Sequence, residues 1–432
     1  MMTGQRLSDL TATETARRIA QGSITARSVV EACLEQVAQR EPEVLAFEYL
    51  DADGARRAAD RLDASGKAAT LPIPGACFAV KDIIDTADMP TGYGSPIHAG
   101  HRPSADAACV ALSRKAGGIA LGKAVTTEFA NVHPGKTRNP HDPDRTPGGS
   151  SSGSAAAVAA RMLPLALGTQ TTSSTIRPAS FCGVVGFVPT YGTISVSGVR
   201  AAAGSLDRVG LFARSVDDIA LYAAVVRGVT PGDAPSGQAF APRIGFCGEF
   251  LAGRMDAGTG DALTGLTRRI ATAGASVGTV AVPSSFTRLT EEHRWISSFE
   301  FVRNFTYEIE NHWDRISTTL REGRISHGQS CPPEQYLEAQ RLAKEARARA
   351  DALFGDHDVL LAASAAGEAP KGSATGDFAF CALWTVLGLP AVSLPLMSGP
   401  SGLPIGAQLL GRPGDEARLL AAAAWIMTHG AG

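Results

Sequence analysis

Apolar and polar positions along the chain follow two periods. Val29, Val30, Cys33, Leu34 and Val37 recur at three- and four-residue spacings, which is one buried face of a helix. Upstream, Thr11 followed by Glu14 is a capping-box pair that opens a helix ending near Gly22. Ser215 with Asp218 opens another, with Ile219, Tyr222, Ala223 and Val226 on one side. Short unbroken apolar runs stand between such segments: CFAV at 77–80, IAL at 119–121 and IGFC at 244–247. Each is too short for a helix and reads as a strand buried on both faces. Residues 332–354 form a polar helix rich in Arg, Ala and Glu, and DVLLAA at 358–363 is the strand after it.

Alternating helices and strands predict a layered α/β fold. No internal repeat and no long polar linker divides the chain, so residues 1–432 are expected to form a single large domain. Within it, 1–65 reads as an N-terminal helical part, 70–230 as the stretch that carries the chemistry, and 287–355, richer in charge and aromatics, as a covering segment.

Composition narrows the partners. With 40 basic and 42 acidic residues among 432, and neither sign gathered into a block, neither nucleic acid nor an anionic membrane surface is an expected partner. Seven scattered cysteines without a C-x-x-C pair argue against a disulfide framework and a zinc cage. The N-terminal MMTGQRLSDLT lacks an apolar export core, and the longest apolar stretch, 155–167, is broken by Arg161 and Pro164. A reducing cytoplasm is the expected location.

Two polar loops stand out. Residues 146–160, TPGGSSSGSAAAVAA, lead glycines and serines into a helix-forming run, and residues 169–180, TQTTSSTIRPAS, carry seven hydroxyls and one arginine. The first is a flexible loop, an anion-binding helix N-terminus or a catalytic element. Its GSSSG matches the G-x-S-x-G nucleophile elbow, which requires a strand directly before it. Pro140, Pro143 and Pro147 stand there instead and cannot serve a central strand. The nearest histidines, His133 and His141, lie in polar loops.

Lysine is the next candidate base for a hydroxyl nucleophile. Of seven lysines, Lys67 and Lys344 sit in polar surroundings, whereas Lys81 closes the buried run 77–80 and burial there favours an uncharged amine. Alternatively Lys81 pairs with Asp82 or Asp85 and anchors the strand end. Lys123, after Leu121 and Gly122, has a similar setting, and physical reasoning alone leaves the two lysines tied.

PGGSSSGSAAAVAA, LALGTQTTSSTIRPASFCGVVGFVPTYG, the upstream FAVKDIID, and GLPAVSLP and LPIGAQLLGRPGDE near the C-terminus resemble the amidase signature family in content and order. The resemblance implies a mixed, twisted central sheet flanked by helices on both faces, and a Ser-cisSer-Lys triad. Carried over by motif, the lysine is Lys81, the serine after a cis peptide bond is Ser150, and the nucleophile is Ser174. The oxyanion hole is then built from the backbone N–H groups of Thr171, Thr172, Ser173 and Ser174, and Ser151, Ser154, Ser173 and Arg177 support the triad or the loops around it. No metal or cofactor is implied.

This chain departs from the family in carrying Thr172-Ser173 in place of Gly-Gly, Gln170 in place of an aspartate, Ser152 in place of a glycine, and an additional Thr175. Side chains at 172 and 173 strain the turn if it requires positive φ. Where the family's amidotransferase subunit holds the ammonium of glutamine with an acid, the expected position is Phe378, with Asp377 one residue away, which favours an uncharged amide. Trp295, Phe299, Phe301, Phe305, Tyr307 and Trp313 either roof an apolar acyl pocket or form an ordinary helix core. The expectation is a hydrolase of a small neutral amide or carbamate, with a homodimer left open. The alternatives are an amidotransferase component working with partner subunits and a catalytically silent binding protein.

Overall fold

The computed structural model describes residues 6–232 and 240–430. The first residues of the N-terminal peptide discussed above, 1–5, and the end of the 1–432 span, 431–432, lie outside the described residues. Eleven strands among those residues form one mixed sheet. In chain order they are β1 (Phe47–Leu50), β2 (Cys77–Lys81), β3 (Ile119–Ala124), β4 (Leu165–Gln170), β5 (Val185–Val188) and β6 (Arg208–Ala213), followed by β7 (Arg243–Phe246), β8 (Ser276–Thr279), β9 (Val359–Ala363), β10 (Ala391–Ser398) and β11 (Pro404–Leu410). Across the sheet the order is β1-β3-β2-β4-β6-β5-β10-β11-β9-β7-β8. Strand β2 is parallel to β3 and β4, strand β7 is parallel to β8 and β9, and the other neighbours are antiparallel.

The central strands are apolar on both faces because helices cover both. Phe78 and Val80 of β2 join Leu165 and Leu167 of β4 and Leu211 of β6 in one core, with side chains from the helices Val216–Arg227 and Glu416–His429. Cys77 and Ala79 point the other way, to Ala166, Phe212 and the helices Ala26–Val44 and Ser152–Ala159. Side chains alternate with the two-residue period of a strand, so Lys81 follows Ala79 toward the helix Ser152–Ala159.

Both N-caps form, but the Glu14 half of the expected box does not, its carboxylate accepting from Arg17 and Arg18 instead. Thr11 Oγ1 accepts from Glu14 N at 3.0 Å to start the helix Ala12–Ala20, and Ser215 Oγ accepts from Asp218 N at 3.1 Å to start Val216–Arg227. Four of the eleven strands, β2, β3, β7 and β9, are the ones singled out from the sequence; of the seven that were not, β1 lies within the stretch read as helical and joins the sheet edge against β3. Only Phe47 of its four residues is buried, so no alternation stands out. The apolar stretch 155–167 splits at Arg161 and Pro164, as the end of one helix and the start of β4. The polar helix is shorter than expected, Pro333–Ala348, followed by a 3-10 turn at Ala350–Leu353. All seven cysteines are buried and free, and among the described residues no helix is long and apolar enough to cross a membrane.

Candidate active site

Lys81 ends β2 with no exposed surface. Its Nζ lies 2.7 Å from Ser150 Oγ and 2.7 Å from Thr169 Oγ1. Burial pushes the amine well below its usual pKa, opposed by the charge of Asp207. The two acids that offered an alternative are engaged elsewhere: Asp82 pairs with Lys123 at 3.2 Å, and Asp85 accepts from the Tyr93 hydroxyl at 2.9 Å. Lys123 also lies 2.5 Å from Thr91 Oγ1. The geometry separates the tied lysines, since Lys123 is an ion-paired anchor while among the described residues the Lys81 amine hydrogen-bonds only to hydroxyls.

Ser150 precedes the helix Ser152–Ala159, and the Gly149–Ser150 peptide bond is cis. Arg177 holds this bend by donating from Nη2 to Gly149 O and from Nη1 to Gly376 O, both at 2.8 Å. The helix start lies close on the sheet: a Cβ at Gly153 would come within 2.2 Å of Ala46 O, and one at Gly168 within 2.8 Å of Ser151 Oγ. Ser151 Oγ donates to Thr169 O at 3.2 Å and accepts from Thr169 N at 3.3 Å, bracing the threonine that touches Lys81.

Between β4 and the helix Ile176–Cys182 runs the turn 171–174. Gln170 starts that helix, its Oε1 accepting from Thr175 N at 3.0 Å and Ile176 N at 3.1 Å, so the residue in place of the aspartate still serves as a cap. None of residues 171–174 has positive φ, so the condition under which Thr172 and Ser173 would strain the turn is not met. Each carbonyl of the turn is held from behind: Thr171 O by His293 Nε2 at 2.9 Å, Thr172 O by Thr385 Oγ1 at 2.8 Å, Ser173 O by Arg177 N at 3.1 Å, and Ser174 O by Ser151 N at 3.3 Å. The amides of Thr171, Thr172, Ser173 and Ser174 donate to no acceptor among the described residues. Thr171 Oγ1 donates to Asp207 Oδ1 at 2.5 Å, while Asp207 Oδ2 accepts from Ala202 N at 2.8 Å and Ala203 N at 2.9 Å. Burial raises the Asp207 carboxyl to about 6.

The turn lines a pocket of about 50 Å³, together with Arg324, Thr375 and Phe378. Ser174 is 8% exposed, and its hydroxyl makes no hydrogen bond among the described residues. The structure thus brings Lys81 and Ser150 into contact and ties the Ser174 carbonyl to Ser151 N, while among the described residues no hydrogen bond joins Ser174 Oγ to Ser150. Two expected supports act differently. Ser154 Oγ donates to Leu167 O at 2.9 Å, and Ser173 Oγ is buried without a partner among the described residues.

The aromatic roof is also corrected, because none of the six aromatics lines this pocket. Phe301 and Phe305 are buried and stack at 4.4 Å, Phe299 stacks on Tyr336 at 4.1 Å and Trp295 on His327 at 4.4 Å, while Tyr307 and Trp313 are exposed. The covering segment instead lines the pocket with Arg324 and sets His293 against Thr171 O of the turn. Arg324 makes no hydrogen bond or ion pair among the described residues, and burial lowers its guanidinium to about 10, which leaves it charged. Asp377 is occupied, pairing with Arg254 at 2.7 Å and accepting from Ala379 N at 2.9 Å. Thr169, Asp207, His293, Arg324 and Thr385 are the site residues that reading the sequence missed.

A family model described as Amidase matches residues 28–420. A glutamyl-tRNA(Gln) amidotransferase subunit from Chloroflexus aurantiacus is 34% identical over 464 residues, covering 96% of this chain and 95% of the relative. Among solved structures, the chain is similar to one from a vestigial protein complex that reveals the evolutionary origins of an s-triazine catabolic enzyme. That match has 28% identity and a TM-score of 0.88, and covers 97% of this chain and 98% of the other. It is also similar to the native peptide amidase of Stenotrophomonas maltophilia, at 26% identity and a TM-score of 0.82 over 98% and 97% of the two chains.

Proposed function

This chain belongs to the amidase signature family, and from that premise we propose that it hydrolyses the C–N bond of a small amide or carbamate through Lys81, Ser150 and Ser174. The observation that carries the reading is Lys81, a fully buried amine without an ion-pair partner among the described residues, 2.7 Å from Ser150 Oγ. Kept neutral, the amine takes the proton of Ser150 while Ser150 takes that of Ser174, whose oxygen bonds to the substrate carbonyl carbon. The resulting oxyanion lies against the open amides of residues 171–174. Collapse breaks the C–N bond as the proton returns through Ser150 to the departing nitrogen. Water then repeats the sequence on the acyl-enzyme and releases the acid.

Fluorophosphonate labelling and hydrolysis of a panel of anilides, carbamates and glutamine test this reading. Both are expected to vanish in Ser174→Ala and Lys81→Ala and to persist in Ser173→Ala. Full turnover by Ser174→Ala would overturn the nucleophile assignment.

The substrate carries no ammonium near the carbonyl, because among the described residues no carboxylate lines the pocket and Phe378 stands at its rim. Arg324 favours a refinement, an amide or carbamate bearing a carboxylate. Arg324→Met is then expected to raise KM at least tenfold for an anionic substrate and to leave a neutral analogue unaffected. The relative at 34% identity supports a second reading, an amidotransferase component that acts with partner subunits, in which case glutamine hydrolysis appears only once those partners are added. Sedimentation tests the homodimer, and the seven free buried thiols support a cytoplasmic location.

A further inference from the structure

The turn 171–174 raises a question that the triad leaves open, namely what aims its amides. A trans peptide unit is rigid and planar, with its C=O and N–H pointing in opposite directions. A hydrogen bond that pulls a carbonyl back from the pocket therefore pushes the next residue's N–H toward it. Thr385 does this for the amide of Ser173, by holding Thr172 O, and Arg177 N does it for that of Ser174, by holding Ser173 O. The amide of Thr172 depends on Thr171 O, whose donor is His293 Nε2 at 2.9 Å.

We propose that His293 is a positioning residue that aims the Thr172 amide at the oxyanion, so that the covering segment completes the catalytic turn. The inference rests on the serine-amidase reading above. His293 comes from the helix Leu289–Asn304, 122 positions from Thr171, and is 1% exposed. Because a carbonyl only accepts, Nε2 carries the proton. The histidine is not among the described residues that line the pocket, and its Nε2 meets the turn at Thr171 O. Thr171 is held a second time through its hydroxyl on Asp207, but that contact fixes the side chain and leaves the peptide plane to the histidine. In a turn with Gly-Gly the backbone is looser. With Thr172 and Ser173 in place, small rotations of the 171–172 plane are the remaining freedom, and His293 removes them.

The test compares His293→Leu, which removes the donor, with His293→Gln, whose amide reaches the same carbonyl. The readouts are the rate of Ser174 labelling by a fluorophosphonate, whose phosphoryl oxygen occupies the oxyanion position, and kcat and KM on the best amide of the panel. Removing a whole oxyanion donor lowers rates by about 10²–10³. Misaiming one is expected to lower the labelling rate and kcat about ten- to a hundredfold in the Leu variant, with KM within about threefold and labelling restored to near wild type by Gln. Equal labelling in Leu and wild type would overturn the inference, as would a Gln variant as slow as Leu at an unchanged melting temperature, which would reduce the residue to packing. Failure of the wild type to label at Ser174 would overturn the serine reading itself, and this inference with it.

Discussion

Lys81 Nζ and Thr169 Oγ1 lie 2.7 Å apart at the C-terminal ends of two adjacent parallel strands, β2 and β4. The threonine oxygen accepts one N–H of the amine, and in the proposed mechanism this leaves the lone pair for Ser150. Thr169→Val keeps the shape and removes this acceptor. The expected result is a fall in kcat of about tenfold or more with little change in KM, while Thr169→Ser stays near wild type. Steady-state kinetics on the three proteins checks it.

The amine also sets the pH profile. Its pKa lies well below 10.5 in the folded protein, and the proposed mechanism needs the neutral form. Activity is therefore expected to rise with pH through a single ionisation below 10.5 and to disappear on the acid side as Lys81 gains a proton. The same shift works against stability. Between the folded pKa and 10.5 the unfolded chain binds the extra proton, so stability from this group rises with pH. Lys81→Met is expected to abolish turnover yet raise the melting temperature at pH 7, by a margin that shrinks as pH approaches 10.5. An unchanged or lowered melting temperature would contradict the buried, uncharged amine.

Gln170 caps the helix that follows the proposed nucleophile. Gln170→Ala leaves the amides of Thr175 and Ile176 without their acceptor inside the protein. A loss of about 1–2 kcal/mol is expected in denaturant unfolding, and Gln170→Glu should recover much of it because a carboxylate at a helix start accepts the same bonds.

His293 contributes acid sensitivity. Burial, with Arg324 adding to it, moves its pKa from 6.5 to about 4. Above pH 6.5 the ring is neutral in both states. As pH falls from 6.5 toward 4 the unfolded chain gains a proton that the folded one does not, and about 3 kcal/mol of stability is lost over that window. Stability against pH should show this slope in the wild type and lose it in His293→Gln.

Much of this was legible before the structure. Runs such as CFAV and DVLLAA give strands because strands covered on both faces need no polar alternation, and the serine and lysine motifs bring Lys81 to Ser150. β1 escaped because a four-residue edge strand with one buried side chain leaves no period to read. Thr169 was one hydroxyl among seven, and its distinction is a contact with a lysine 88 positions away. His293 and Arg324 act through isolated positions in helices otherwise patterned for their own packing, and no local rule marks which polar residue of such a helix turns inward. The aromatic cluster stayed ambiguous for the same reason, since core stacking and a ligand roof have identical composition.

The strand order carries a consequence for biosynthesis. β10 and β11 follow every other strand along the chain, yet they lie inside the sheet, β10 against β5 and β11 against β9. A ribosome therefore releases nine strands before the two that weld them together. Until residues 391–410 emerge, VGFV and VLLAA are raw, sticky borders of two unjoined fragments, open to illegitimate pairing with other nascent chains. Translation arrested before that point leaves a client for chaperones even though every proposed catalytic side chain has already been made.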